Sequence, residues 1–400
     1  MLNKNTNMRC STTLEEFTGQ FTLSSDLFKK HNTYISPDLF NINNLTLTEL
    51  LNGKSVLFVL SEQVFELYGK KISHYLENNK DTFNSHLITI KSGEHNKNMQ
   101  AVNYICEKAY EFSHKRQHPI VAIGGGICTD ICGLAASLFR RSVPHIKIPT
   151  TFVGLIDAGI AAKNAVNLGN KKNLLGTFSP PEASLIDPTF LKSLPLRHVV
   201  CGISESLKLG LITDQRIYDL WRKFGTELLF SHIQSPSEAS KEIIKRSILI
   251  MLVKLAENLY EHNTYKRIVD FGHTFSPYIE EASRYQILHG EAVAIDMAIS
   301  CQISYLHNLV SKKQLDEIFT LFQTLGLPIY STLINLDEMW VSLSSIVAHR
   351  GNQLNLVIPK GIGDCLFIEN MCDLDKSCLR EALTRLENYD TEYRCNAVVS

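Results

Sequence analysis

Four hundred residues, 44% of them hydrophobic, can bury one large core or two ordinary ones, so two domains are the starting expectation. A formal net charge of −1 argues against nucleic acid or an anionic membrane as the main partner. The ten cysteines lack CxxC spacing and read as reduced thiols, and with no apolar leader and no run long enough to span a bilayer the chain is expected to be soluble and cytoplasmic.

Residues 1–50 are rich in Asn, Thr and Ser without a sustained period and read as a partly ordered arm holding at most one early strand. SVLFVL (residues 55–60) is a continuous apolar run of the kind a buried parallel strand requires, and Val64, Leu67, Tyr68, Ile72 and Leu76 follow at helical spacing. A strand over 86–90, the loop SGEHNK, a helix over 99–116 and a strand over 120–123 come next, and HIKIPTT (residues 145–151) supplies another strand. Strands alternating with helices imply a parallel sheet with right-handed crossovers, whose ligands sit beyond the strand C-termini. The proline-punctuated stretch PPEASLIDPTFLKSLP marks a domain boundary. From Arg197 to about Gly326 the pattern is helical throughout. The expected division is an arm (1–50), an α/β domain (51–195), a mainly α-helical domain (196–387) and a loose tail (388–400).

The strand at 120–123 runs into Gly124, Gly125 and Gly126, with Thr129 or Asp130 at the start of a helix. Glycines let backbone N–H groups approach a ligand, and a helix start favours negative charge, so a pyrophosphate is the natural guest. GGG is not the GxGxxG fingerprint and taken alone is as often a plain tight turn. The chemistry that follows raises it: Arg140, Arg141, Thr150, Thr151, Asp157, Lys163, Asn167, Lys172 and Asn173 all lie within fifty residues. In the helical half Glu205, His273 and His289 make the ligand set of a catalytic zinc, three protein ligands leaving a position open. Singly, each is more often a structural residue. Both histidines adjoin a glycine and begin a helical apolar run. Arg141, Lys163, Lys172 and Lys208 flank glycine turns or helix starts, where cations can hold a phosphate.

Together GGGICTD, RRSVPHIKIPTT, LIDAGIAAKNAVN, KKNLLG, LPLRH, GISESLKLG, DFGHTFSP and LHGEAVAIDM resemble the sugar phosphate cyclases, the family that contains 3-dehydroquinate synthase. The resemblance runs from about Ser55 to Phe367. It implies a Rossmann-like parallel-sheet NAD domain followed by an α-helical metal domain, NAD+ with Zn2+ or Co2+ as cofactors, a small sugar phosphate as substrate, and a homodimer. By matching motif it implies Glu205, His273 and His289 as metal ligands. It puts Glu94, Lys97, Gly124, Gly125, Gly126, Asp130, Thr150, Thr151, Asp157 and Lys172 along NAD, and Asp157, Lys172, Asn173, Lys266 and Arg350 at the substrate. Lys163, Lys208, Arg141, Asp270 and His349 take the catalytic positions.

Departures select a branch. Dehydroquinate synthases carry Asn before FGH, a second His four residues after the ligand His, and LPxRE; here those places hold Asp270, Pro277 and, in LPLRH, His198. These changes, with AAK ending at Lys163 and HRGNQLNLVIPKGIG, resemble the 2-epi-5-epi-valiolone synthases, which cyclise sedoheptulose 7-phosphate. Ser61 stands where the family has an acidic residue, and Asn164 where it has Thr. The implied reaction is redox-neutral: oxidation, phosphate elimination, re-reduction, ring opening and aldol closure. Cyclases making 2-epi-valiolone, desmethyl-4-deoxygadusol or 3-dehydroquinate remain open, as does a metal-dependent polyol dehydrogenase, whose product would include net NADH.

Overall fold

The computed structural model describes residues 20–24, 30–169, 171–261, 266–349 and 353–399. Its contacts divide the chain into two units, Met1–Leu194 with Ile248–Tyr260, and Pro195–Ser247 with Glu261–Ser400.

The first unit holds β1 (Gln20–Ser24), β2 (Lys30–Ile35), α1 (Thr46–Leu51), β3 (Ser55–Ser61), α2 (Glu62–Asn78), β4 (Asn84–Ile90), α3 (Met99–Glu111), β5 (Ile120–Gly124), α4 (Gly126–Leu138), β6 (His145–Pro149), β7 (Lys163–Leu168), β8 (Lys171–Phe178) and β9 (Ala183–Ile186). Seven strands form one sheet in the order β1-β2-β9-β6-β5-β3-β4, parallel except for the β1–β2 pair. Because both faces are covered, β3 is apolar from Val56 to Leu60 and β5 from Ile120 to Ile123, which is why SVLFVL shows no alternation. Val56, Phe58 and Leu60 pack with Ile72 and Tyr75 on one face, and Leu57 and Val59 pack with Val102, Ile105 and Ile131 on the other. The pairs Phe58↔Val121 and Val121↔Ile146 carry that division across the sheet.

Residues 30–50 are not an arm. β2 pairs in register with β9, and Leu39, Phe40 and Leu47 are buried in the core that α2 covers. The helix expected over 99–116 stops at Glu111, and the chain turns at Ser113 with φ 55°. β7 and β8 form a separate antiparallel hairpin. Its seat is the buried Asn164, whose side-chain amide donates to the carbonyls of Ala162 (3.1 Å) and Ser179 (2.8 Å). A Cβ on Gly133 of α4 would lie 1.9 Å from Asn164 Oδ1, so this close approach requires glycine.

The second unit is mainly helical: α5 (Leu196–Ile212), α6 (Gln215–Phe230), α7 (Ser237–Glu257, whose last turns go with the first unit), α8 (Ser276–Ala282), α9 (His289–Leu306), α10 (Lys312–Thr324), α11 (Leu336–His349), the hairpin strands β10 (Leu356–Pro359) and β11 (Cys365–Ile368), α12 (Met371–Leu374) and α13 (Lys376–Val399). The stretch expected as a loose tail continues α13, anchored upstream by buried Leu379, Ala382, Leu383 and Leu386 at helical spacing. α5 and α9 are buried along nearly their whole length. They cross at Gly290, where a Cβ would lie 2.4 Å from Cys201 Cα and 2.5 Å from its carbonyl oxygen.

Candidate active site

In the second unit α5, buried from Val199 onward, carries Glu205 two turns in from its start, and α9 begins at His289. Arg197 fixes the two helix starts: its guanidinium donates to both oxygens of Glu291 (2.6 and 2.7 Å) and to the Gln286 carbonyl (2.7 Å). Glu291 in turn accepts from the Leu288 N–H at 2.8 Å, reaching back over the first turn of α9. His273 sits on the loop between the short turn Ile268–Asp270 and α8, whose first turn accommodates Pro277.

One ligand atom from each of Glu205, His273 and His289 falls within 4.8 Å of the others. His289 Nε2 lies 3.3 Å and His273 Nε2 3.7 Å from Glu205 Oε1. Two ligands at about 2.1 Å from a tetrahedral ion stand roughly 3.4 Å apart, so the donor set fits such an ion. The outer partners fit as well. His289 Nδ1 pairs with Glu280 Oε1 at 2.9 Å and His273 Nδ1 with the Phe271 carbonyl at 3.1 Å, which leaves both Nε2 atoms facing Glu205. Glu205 is 1% exposed, and neither of its oxygens has a hydrogen-bond partner of sound geometry among the described residues. Lys208 Nζ lies 2.6 Å from its Oε2. Burial works to raise the Glu205 pKa, but the Lys208 ammonium and both imidazoles hold the carboxyl well below the usual range. Burial and Lys208 push His273 down to about 4, leaving a neutral donor, while the Glu205 and Glu280 carboxylates overcome burial and lift His289 to about 10. Glu205 is thus surrounded by cationic and imidazole groups, and a divalent cation held by these three donors would take the place of a proton on His289.

Asp270 is held by Arg267, which donates from Nε to Oδ2 at 3.0 Å and from Nη2 to both oxygens, and which also pairs with Glu261. Lys266 reaches Glu369 at 2.7 Å on an exposed surface. His349 ends α11, and Arg350 lies outside the described residues.

In the first unit the glycine turn closes β5, with Gly125 as the N-cap of α4 and no side chain capping the helix. The first-turn N–H groups of a thirteen-residue helix are left for a ligand, which suits a dinucleotide pyrophosphate. Thr150 N–H donates to the Gly124 carbonyl at 3.0 Å, and Thr151 Oγ1 accepts from Gly154 N–H at 3.1 Å, capping the π-helical turn Gly154–Ala158 that bears Asp157. Beside it a polar network forms. Buried Lys97 donates to Asp130 Oδ2 (2.7 Å) and Asn173 Oδ1 (2.6 Å), Asn167 donates to Glu94 Oε1 (2.8 Å), and Asn173 N–H donates to Asn167 Oδ1 (2.9 Å). The structure so joins Glu94, Lys97, Asp130 and Asn173 through Asn167. Lys163 begins β7 on an exposed position, and Lys172 is half-buried on β8.

Arg141 is not brought to this group. It is exposed just before β6, at the N-terminal ends of the strands, whereas the glycine turn lies at their C-terminal ends, one strand length or about 16 Å away. The two departures have structural work: Ser61 caps α2, its Oγ accepting from Val64 N–H at 3.4 Å, and Asn164 seats the hairpin. Sequence reasoning missed Glu280, Arg197 and Glu291, and also Lys147. Lys147 is fully buried in β6 and donates to the carbonyls of Ala158 (3.3 Å) and Ala161 (3.1 Å), while Ser184 donates to that of Gly159 (2.5 Å). Only the acidic residue at the third helical position after Leu288 left a readable signal.

Residues 87–201 match the family model described as 3-dehydroquinate synthase N-terminal, and residues 202–345 match 3-dehydroquinate synthase C-terminal. The 2-epi-5-epi-valiolone synthase of Streptomyces hygroscopicus subsp. jinggangensis (strain 5008) is 36% identical over 378 residues, 92% of this chain and 90% of that protein. That of Streptomyces glaucescens is 34% identical over 93% of this chain and 95% of its own length. The solved structure of ValA, the 2-epi-5-epi-valiolone synthase from Streptomyces hygroscopicus subsp. jinggangensis 5008 with NAD+ and Zn2+ bound, superposes with a TM-score of 0.85 over 95% of this chain and 99% of that one, at 36% identity. Matched in both halves and along most of its length, the chain belongs to the 3-dehydroquinate synthase family of sugar phosphate cyclases.

Proposed function

We propose that the protein is a phosphate-eliminating lyase that converts sedoheptulose 7-phosphate to 2-epi-5-epi-valiolone and inorganic phosphate. The observation that carries the reading is the buried Glu205–His273–His289 set with its Glu280 and Phe271 outer partners, in a chain 34–36% identical to several 2-epi-5-epi-valiolone synthases. Bound Zn2+ or Co2+ would acidify a substrate hydroxyl, and bound NAD+ would accept a hydride and return it, so that no NADH accumulates.

In this reading Glu205, His273 and His289 hold the metal. Gly124, Gly125, Gly126, Thr150, Thr151 and Asp157 line the dinucleotide, with Glu94, Lys97 and Asp130 shaping its ribose side. Lys163, Lys172 and Asn173 sit on one hairpin, where ammonium groups can hold the phosphate and the charge that develops as it leaves. Lys208 is committed to Glu205, and its charge keeps that carboxylate ionised. Asp270, gripped by Arg267, orients substrate hydroxyls as an acceptor. Lys266, His349 and Arg350 complete the substrate positions. Arg141, at the opposite strand ends of its own unit from the glycine turn, is given no role in this reading. We take the enzyme to be a cytoplasmic homodimer; among the described residues no helix is long and apolar enough to cross a membrane.

The test is incubation with sedoheptulose 7-phosphate, catalytic NAD+ and Zn2+ or Co2+, with phosphate measured and the product identified by NMR. Phosphate and 2-epi-5-epi-valiolone in equal amounts without net NADH is the expected result. A different cyclitol would move the chain to another branch of the family, and steady NADH from polyols without phosphate would replace the reading by a dehydrogenase.

A further inference from the structure

One face of α9 shapes the metal centre beyond the ligand it supplies. His289 opens that face, and Val293, Asp296 and Met297 continue it four, seven and eight residues on. The loop of residues 271–276, which carries His273, lies against it. Gly272 has φ +77°, and a Cβ there would come within 2.8 Å of Val293 Cγ1 and 3.0 Å of Met297 Cγ. On the other side of His273, Asp296 Oδ2 accepts the backbone N–H of Ser276 at 2.8 Å and that of Phe275. Asp296 is fully buried, and among the described residues no Lys or Arg forms an ion pair with it. Burial pushes its carboxyl up to about 7, and its oxygens are held by the N–H groups at the start of α8 and by Ser300 Oγ, which donates to Oδ1 at 3.4 Å. A buried carboxylate without a cationic partner is costly wherever an apolar side chain would serve, so this one is explained by the N–H groups it holds.

We propose that Asp296 is a positioning residue of the metal centre: together with the Val293–Met297 seat under Gly272 it fixes the loop on both sides of His273 and so aims Nε2 at Glu205. The proposal rests on the metal-site reading above. α9 would then present one ligand directly and hold a second at a set distance from it. Outer partners of metal ligands typically contribute 10–100-fold in affinity, and Asp296 acts one step further out, through the backbone two and three residues beyond His273.

The full-length protein, stripped and reloaded, is titrated with Zn2+ against a chromophoric chelator, and the visible spectrum of the Co2+ form is recorded. The variants are Glu205→Ala, Asp296→Ala, Asp296→Asn and Ile303→Ala, the last on the same buried helix but fourteen residues from His289, about 21 Å along the axis. The expected result is a loss of roughly 10–100-fold in Zn2+ affinity for Asp296→Ala, substantial recovery in Asp296→Asn, whose carbonyl still accepts, and wild-type affinity in Ile303→Ala. A Co2+ spectrum shifted in Asp296→Asn supports the same conclusion if Asp296→Ala does not fold. Wild-type affinity and spectrum in the Asp296 variants, with binding lost in Glu205→Ala, overturn the proposal and leave the metal site standing. An equal loss in Ile303→Ala also overturns it, by reducing the effect to helix stability. Undiminished binding in Glu205→Ala removes the metal-site reading itself and the proposal with it.

Discussion

A single methyl group at Gly290 should separate Glu205 and His289, two of the three proposed metal ligands. In Gly290→Ala the new Cβ would sit 2.4 Å from Cys201 Cα, 2.5 Å from its carbonyl oxygen and 2.6 Å from its Cβ. Ordinary contacts of such atoms begin near 3.5 Å, so the helices must part by about 1 Å, and backbone of two buried helices cannot step aside as a flexible side chain would. Glu205 lies one turn beyond Cys201 on α5, and His289 is the residue next to Gly290 on α9. The displacement therefore reaches the 3.3 Å separation of His289 Nε2 and Glu205 Oε1 almost undiminished. Metal–ligand bonds tolerate about 0.2 Å. Overpacking of this kind costs about 1–3 kcal/mol, and if most of it is relieved at the ligands, Zn2+ affinity falls about 5–100-fold, since each 1.4 kcal/mol is tenfold. The assay is chelator competition on the stripped protein, with far-UV circular dichroism to show that the helices persist. A folded Gly290→Ala protein with wild-type Zn2+ affinity would refute the reasoning, because it would mean the crossing does not set the ligand spacing.

Glu205→Ala should lose bound metal and all turnover, measured by metal analysis and phosphate release; full activity in a metal-free preparation would reject the ligand assignment. Glu280→Gln keeps the shape but weakens the acceptor opposite His289 Nδ1, and should cost about 10–100-fold in Zn2+ affinity with little change in thermal stability of the reloaded protein. Lys147 gives a pH test unrelated to the metal. Burial lowers its pKa from 10.5 to about 8, so at neutral pH both folded and unfolded states carry the proton and the burial cost is present in full. Between pH 8 and 10.5 the folded state releases it first and stability rises with pH, by on the order of 2 kcal/mol from pH 7.5 to 9.5 relative to Lys147→Met. Chemical denaturation of both proteins at both pH values reads that difference; parallel pH profiles would show that the ammonium is not buried.

The readable parts of the chain were those where local pattern and tertiary role coincide. SVLFVL could be seen as a two-faced buried strand, and the glycine turn, Glu205, His273 and His289 stood in recognisable settings. β2 could not, because its inward residues include His31 and Thr33, buried polar groups whose partners are each other and Ser184, 153 residues from His31. Polar composition there mimics a loop, since the strand is satisfied by contacts far along the chain. Asp296, Glu280 and Arg197 were silent for the same reason. Each acts on backbone or a side chain in a different element, and nothing in its own neighbourhood distinguishes it from a structural charge.

The fit of Asn164 into the space left by Gly133 has a consequence for exchanging parts between relatives. The hairpin bearing Lys163, Lys172 and Asn173 is an attractive segment to graft when a new sugar phosphate is wanted, because it lies outside the main sheet. Its docking key, however, is cut into α4, the helix whose first turn lies at the glycine cradle. A donor hairpin with a side chain of another shape at position 164 would rock on that notch and carry its lysines off target. Transplants that take residue 133 along with the hairpin should keep the lysines where the proposed phosphate site needs them; those that move the hairpin alone should not.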